Sequence, residues 1–223
     1  MGAGDLSEEP AGPVSVGTVF DRFPASVRGA VVVRAEDREP HQIRLVAVRV
    51  AQAHDPAKEV HRAAVEETTV DVAPHKEVLI PFDVPFAELG PGWFCVVADV
   101  EVDGSRRLTG PEGGGKRFGV PWPPEEIRRV DLKPNLKLGR AVIDRIHSRP
   151  DRTEIRWRPP KGSPDAELKL SAGSRRLPVV ESTDDPRTGI RIAVTHPIPK
   201  RSEQLTLELS AGDARSSATV DLG

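Results

Sequence analysis

The stretch Val78–Gly104, VLIPFDVPFAELGPGWFCVVADVEVDG, constrains the fold more than any other. From Trp93 onward, Phe94, Val96, Ala98, Val100 and Val102 fall on one face of an extended chain. Trp93, Cys95, Val97, Asp99, Glu101 and Asp103 fall on the other. Alternation with a period of two marks a strand with one face in a core. Gly90-Pro91-Gly92 opens it and Asp103-Gly104 closes it, both turn sequences. The run before it, Glu77–Val84, carries Pro81 and is followed by Pro85, which suits an edge or the end of a strand.

The same pattern recurs along the chain. In the first half, strands are predicted near residues 13–20, 26–35, 42–52, 59–72, 76–82, 93–103 and 116–120. The segment 59–72 has a possible helical start, because Glu59, Ala63, Ala64 and Glu67 favour helix. Turn signals every 8–12 residues are the mark of a sandwich. Helix-length apolar periodicity is missing, and 22 prolines and 19 glycines separate the short apolar runs. In the second half, strands are predicted near 136–147, 152–158, 167–172, 189–196, 203–210 and 215–222. Thr153, Ile155 and Trp157 share one face, which places Trp157 as the core plug of an immunoglobulin-like sandwich. Leu205, Leu207 and Leu209 supply a facing inner row. No residue-level repeat relates the halves.

The expected organisation is therefore all-β: two tandem antiparallel β-sandwiches joined by a Pro-rich linker. Residues 1–12 read as a disordered leader and 13–121 as the N-terminal sandwich. The linker covers 122–127, with Pro121-Trp122-Pro123-Pro124 stiff, and 128–223 forms the C-terminal immunoglobulin-like sandwich. Residues 1–121 carry 13 Lys and Arg against 19 Asp and Glu, whereas 122–223 carry 19 against 15. Opposite signs can help the halves dock or give them different partners. The single cysteine excludes an internal disulfide. With no signal-peptide pattern and no membrane-length apolar run, a cytoplasmic location is expected.

Gly110–Lys116, GPEGGGK, fits the start of a phosphate-binding loop. Arg117 stands where the Ser or Thr hydroxyl is needed, and FGVPWPP cannot open the helix that binds phosphate, so it reads as a hairpin loop. Asp99, Glu101 and Asp103 resemble half of a calcium loop. Val100 and Val102 between them indicate a strand, and Gly110 takes the place of the closing Glu. These three carboxylates are the metal candidates, expected to form a solvated acidic face. His41, His54, His61, His75, His147 and His196 lack zinc spacing and read as surface or turn residues. Cys95 reads as a packed hydrophobe rather than a nucleophile. Arg140, Arg145, Arg149, Arg152, Arg156 and Arg158 alternate with Asp144, Asp151 and Glu154. Cross-strand ion pairs account for them better than nucleic acid, which would need exposed aromatics beside the arginines.

Across residues 13–104 the order SVRGAVVV, HQIRLVAVRV, VAPHKEVLIPFDVPF and GWFCVVADVEVDG resembles the N-terminal sandwich of arrestin-like proteins, including bacterial sporulation-control relatives. The shared features are a G-x-V strand, a strand ending I-P-F-x-x-P and a long strand after it. The resemblance covers under half of the chain. It implies a two-sandwich adaptor without catalysis. Together these readings give a non-enzymatic interaction module with a protein partner and no cofactor. Trp93, Trp122, Arg156 and Arg158 are its candidate contacts. The alternative is a carbohydrate- or cation-binding accessory domain using an exposed Trp93 or Trp122 with the acidic row. A hydrolase with a site between the halves ranks below both.

Overall fold

The computed structural model describes residues 13–63, 65, 68–109 and 116–223. The chain divides into two compact units after Val120. The expected leader, residues 1–12, lies outside the described residues, as do residues 110–115 of the glycine-rich loop.

The first unit contains β1 (Val14–Arg22), β2 (Ser26–Ala35), β3 (His41–Gln52), β4 (Asp55–Ala63), β5 (Thr68–Val72), β6 (Glu77–Pro85), β7 (Gly92–Val102), β8 (Ser105–Thr109) and β9 (Arg117–Val120). One sheet has the order β1-β2-β6. The other runs β4-β3-β7-β8, with β5 also on β3 and β9 also on β7. Val27, Val31 and Val33 from the first sheet share a core with Ile43, Val48, Val50, Val96, Ala98 and Val100 from the second. One core between two antiparallel sheets makes this a sandwich. It is built mainly of valine, whose branched Cβ suits a pleated surface. Phe118 sits among Phe20, Phe86 and Phe94, at centroid distances of 5.8, 6.1 and 5.7 Å.

The expected single segment 59–72 with a helical start is instead two strands. β4 pairs the C-terminal part of β3 and β5 pairs its N-terminal part. The other side of β3 is taken by β7. Twelve residues of β3 leave an edge long enough for both, and that pairing overrides the local helix preference.

The second unit contains β10 (Val130–Leu132), β11 (Leu136–Leu138), β12 (Ala141–Ser148), β13 (Thr153–Arg158), β14 (Glu167–Ala172), β15 (Arg175–Leu177), β16 (Val179–Asp185), β17 (Ile190–Thr195), β18 (Gln204–Ala211) and β19 (Ala214–Asp221). Its sheets are β10-β12-β13-β17-β16, with β11 on β12, and β15-β14-β18-β19. Trp157, Ile143 and Ile155 from one sheet meet Leu170, Leu205 and Leu207 from the other. Trp157 is 1% exposed, the core position its alternation predicts.

Both units follow one strand order. β12, β13 and β17 repeat the arrangement of β1, β2 and β6. β15, β14, β18 and β19 repeat that of β4, β3, β7 and β8. This is the immunoglobulin-like crossover pattern. The Pro-rich segment 122–127 is not a free connector. The Trp122 N–H donates to the Pro150 carbonyl at 2.9 Å, and the Lys200 N–H donates to the Glu126 carbonyl at 2.9 Å. Ile127 is buried. The segment is a built part of the second unit.

Candidate interaction surface

The residues that alternation assigned to the outer face of β7 do lie opposite the core, but Trp93, Cys95, Val97 and Asp99 are buried, Glu101 is partly buried, and only Asp103, in the turn beyond β7, is exposed. Trp93 is 5% exposed, so it offers no open stacking platform, and the expectation of an exposed Trp93 is corrected. Gly119 of β9 leaves room for its ring: a Cβ there would come within 3.2 Å of it. Cys95 and Val97 form a small buried cluster with Ala51 of β3. Burial pushes the Cys95 thiol up, against the opposing charge of Arg117.

The acidic row does not form a solvated face either. Asp99 is 1% exposed and is gripped by Arg106, whose Nε donates at 2.8 Å and whose Nη2 forms a second, very short bond. The Arg106 hydrogen bonds hold the Asp99 carboxyl below the usual carboxylate range, with Arg49 and Arg62 adding charge. Glu101 pairs with Arg44 of β3 at 2.9 Å. Asp103 lies in the turn after β7 at φ 49°, and accepts from His41 Nδ1 at 2.6 Å and the Gln42 N–H at 2.9 Å. Each carboxylate is engaged by a different partner, and the three do not converge. Among the described residues no group of three or more His, Cys, Asp or Glu could hold a metal ion.

His41 departs from the surface role expected of it. It is 7% exposed, with Nδ1 on Asp103 and Nε2 on Asp37 at 2.9 Å. Two carboxylates accepting from both ring nitrogens favour the imidazolium. The Asp103 and Asp37 hydrogen bonds raise the His41 pKa, while His41 lowers both carboxyls.

In the second unit two arginines of the cluster read from the sequence, Arg145 and Arg158, pair across strands, and Arg152 pairs with a neighbour along the chain. Arg145 binds Asp131 at 2.7 Å, Arg152 binds Glu154 at 3.0 Å and Arg158 binds Asp144 at 3.2 Å. Arg156 and Arg158 are exposed on β13 beside the buried Trp157. Trp122 is half-buried in the segment before β10, its ring 5.1 Å from that of His196. Trp122, Arg156 and Arg158 belong to the second unit and Trp93 to the first.

The surface that alternation did not single out lies on the outer side of β1-β2-β6. Register places Val19, Ala30 and Pro81 in one row and Gly17, Val32 and Leu79 in the next. Leu79 is 57% exposed, and Val19 and Phe23 are also exposed. Charged pairs border this apolar strip. Arg34 meets Glu77 at 2.7 Å on one side and Arg28 meets Asp83 at 3.0 Å on the other. The Arg28 guanidinium also covers the Phe23 ring, 5.4 Å from its centroid. Beside the strip a groove of about 640 Å³ follows β6, lined by Val65, Val70, Val78, Ile80 and Phe82 among others. The Val31-Val32-Val33 run was the available signal, because three successive apolar residues put apolar side chains on both faces of β2.

No family model matches the chain, and no curated protein matches it. Solved structures of marsupial T cell receptors do align with it. One is 9% identical at a TM-score of 0.28, over 93% of this chain and 64% of that one. A second is 9% identical at 0.25, over 92% and 62%. A third is 8% identical at 0.26, over 97% and 100%. The chain thus spans less than two thirds of the first two receptor chains.

Proposed function

We propose that this chain is a non-enzymatic protein-interaction module whose contact surface is the outer face of β1-β2-β6. One observation carries the reading: an apolar strip centred on the exposed Leu79 is bordered on both sides by ion pairs. An apolar centre within a polar rim is how protein interfaces are built. The ion pairs neutralise each other, so the partner presents an apolar, weakly charged counterpart. An adaptor of the kind the arrestin-like resemblance implies, acting in the cytoplasm, is the form of this proposal. Among the described residues no helix is long and apolar enough to cross a membrane. The carbohydrate alternative drew on an open Trp93 or Trp122 with the acidic row; Trp93 and Asp99 are buried, Trp122 is half-buried, and Glu101 and Asp103 are each held by a separate cation.

A photo-crosslinking residue at position 79 of the full chain, expressed in the native host, tests the proposal. The expected result is a discrete protein adduct that Val19→Asp abolishes while the melting curve is unchanged. No adduct, or one indifferent to Val19→Asp, overturns it.

A further inference from the structure

Strand edges present unpaired backbone groups, and this protein guards most of its own. The edge strand β6 carries Pro81 and Pro85. β4 contains Pro56 and its pairing with β3 is twice irregular. On β1, the Val14 carbonyl accepts from Arg107 at 3.0 Å and the Phe20 carbonyl accepts from Lys116. β16 has a register shift between Val179 and Glu181. β10, β11 and β15 are three residues each.

β19 has none of these devices. It is eight residues long, contains no proline and pairs β18 without interruption from Gln204↔Asp221 to Ala211↔Ala214. The two-residue turn Gly212-Asp213, with Gly212 at φ 57°, makes Ala211 and Ala214 a hydrogen-bonded pair. The Leu222 N–H donates to the Glu203 carbonyl at 2.8 Å, which sets the same phase. The even-numbered residues therefore bond to β18. Arg215, Ser217, Thr219 and Asp221 direct their backbone N–H and C=O groups away from the sheet. All four are exposed. β11 approaches β19, and just beyond β11 Gly139 lies against the side chain of Ser216, a residue of the set already bonded to β18.

We infer that β19 pairs antiparallel with β19 of a second copy of this chain, about a two-fold axis at Ala218. That register sets Arg215 of each copy opposite Asp221 of the other and Ser217 opposite Thr219. All four outward residues then fall in hydrogen-bonded pairs. Opposite charges directly across strands are favourable and like charges are not. A shift of one pair in either direction separates Arg215 from Asp221 and shortens the ladder. One Asp221 oxygen accepts from the Gly223 N–H at 3.0 Å, which leaves the other for the arginine. The sequence of this edge is self-complementary, which is what an isologous contact requires. The pairing joins two β15-β14-β18-β19 sheets into one continuous sheet. A strand-to-strand contact buries less than the roughly 1,000 Å² of a stable interface, so the dimer is a weak, concentration-dependent one.

Sedimentation equilibrium of the full chain over about 5–500 µM tests the inference, a range suited to a small interface. A monomer–dimer equilibrium is expected. Thr219→Pro removes an outward N–H that β18 does not use, and should give a monomer with an unchanged melting curve. Arg215→Asp sets two acids opposite each other at both ends and should weaken association about tenfold or more. Arg215→Asp with Asp221→Arg restores opposite charges and should restore the dimer. A wild-type chain that stays monomeric overturns the inference, as does a dimer indifferent to the charge reversal. If Thr219→Pro does not fold, the reversal and its rescue decide alone.

Discussion

At the scale of single residues, burial is settled by what each side chain finds across the sheet. Trp157 lies under the Arg191 guanidinium, 5.4 Å from its ring centroid, and Arg191 is fixed by Asp184 at 2.6 Å and the Ala166 carbonyl at 2.7 Å. Trp157→Ala should cost about 3–5 kcal/mol, as for other large buried aromatics, read from urea unfolding of the full chain by circular dichroism. The His41 clamp predicts a pH dependence. Its folded pKa is raised above 6.5, so its contribution is complete below 6.5 and is lost as pH rises through the folded value. Asp37 and Asp103 have lowered values, so their contributions are present above 3.8 and are lost as pH falls. Melting temperature should therefore fall from pH 6 towards alkaline pH in the wild type. In His41→Asn that part of the slope should be absent. The alternation rule could not find this clamp, because Asp37 lies outside the strands and Asp103 sits in a left-handed turn.

At the scale of elements, period two assigned faces correctly but said nothing about what covers them. The β7 residues opposite the core are on the side that alternation gives. Whether Asp99 stands free or paired depends on Arg106 from β8. Gly29 shows the same dependence. Its place among Val27, Val31 and Val33 is plain in the sequence, yet the need for glycine comes from β1. A Cβ there would lie 2.1 Å from the Val19 carbonyl oxygen and 2.5 Å from the Phe20 Cβ. That backbone cannot yield without breaking the β1–β2 pairing. Gly29→Ala should cost at least about 1–3 kcal/mol, the usual range for overpacking, measured by thermal unfolding.

At the scale of the molecule, each unit has its own two sheets and its own core, which predicts separate folding. Fragments 13–120 and 121–223 should each melt cooperatively. The fragment 128–223, which lacks the Pro-rich segment, should melt well below 121–223. It loses the buried Ile127 and the backbone bonds to Pro150 and Lys200. Calorimetry of the three fragments decides this. Equal melting of 121–223 and 128–223 would show that the segment is only a tether.

The sequence by itself determined most of the longer strands, most of the turns and the inward position of Trp157. Those follow from local rules: the two-residue period of an extended chain, and the tolerance of Asp103-Gly104 for φ of 49° and 79°. By contrast, β8, β10, β15 and β16 lie in stretches that alternation leaves unassigned, and 136–147, expected as one strand, is the paired β11 and β12. The common strand order of the two units left no residue-level trace, because many side chains satisfy one pattern of inward and outward positions. Only the tertiary structure decided which faces are covered, how β4 and β5 divide β3, and which edge stays open. Those outcomes depend on partners far apart in the chain, such as Arg28 with Asp83 and His41 with Asp103. Local periodicity carries no information about such pairings.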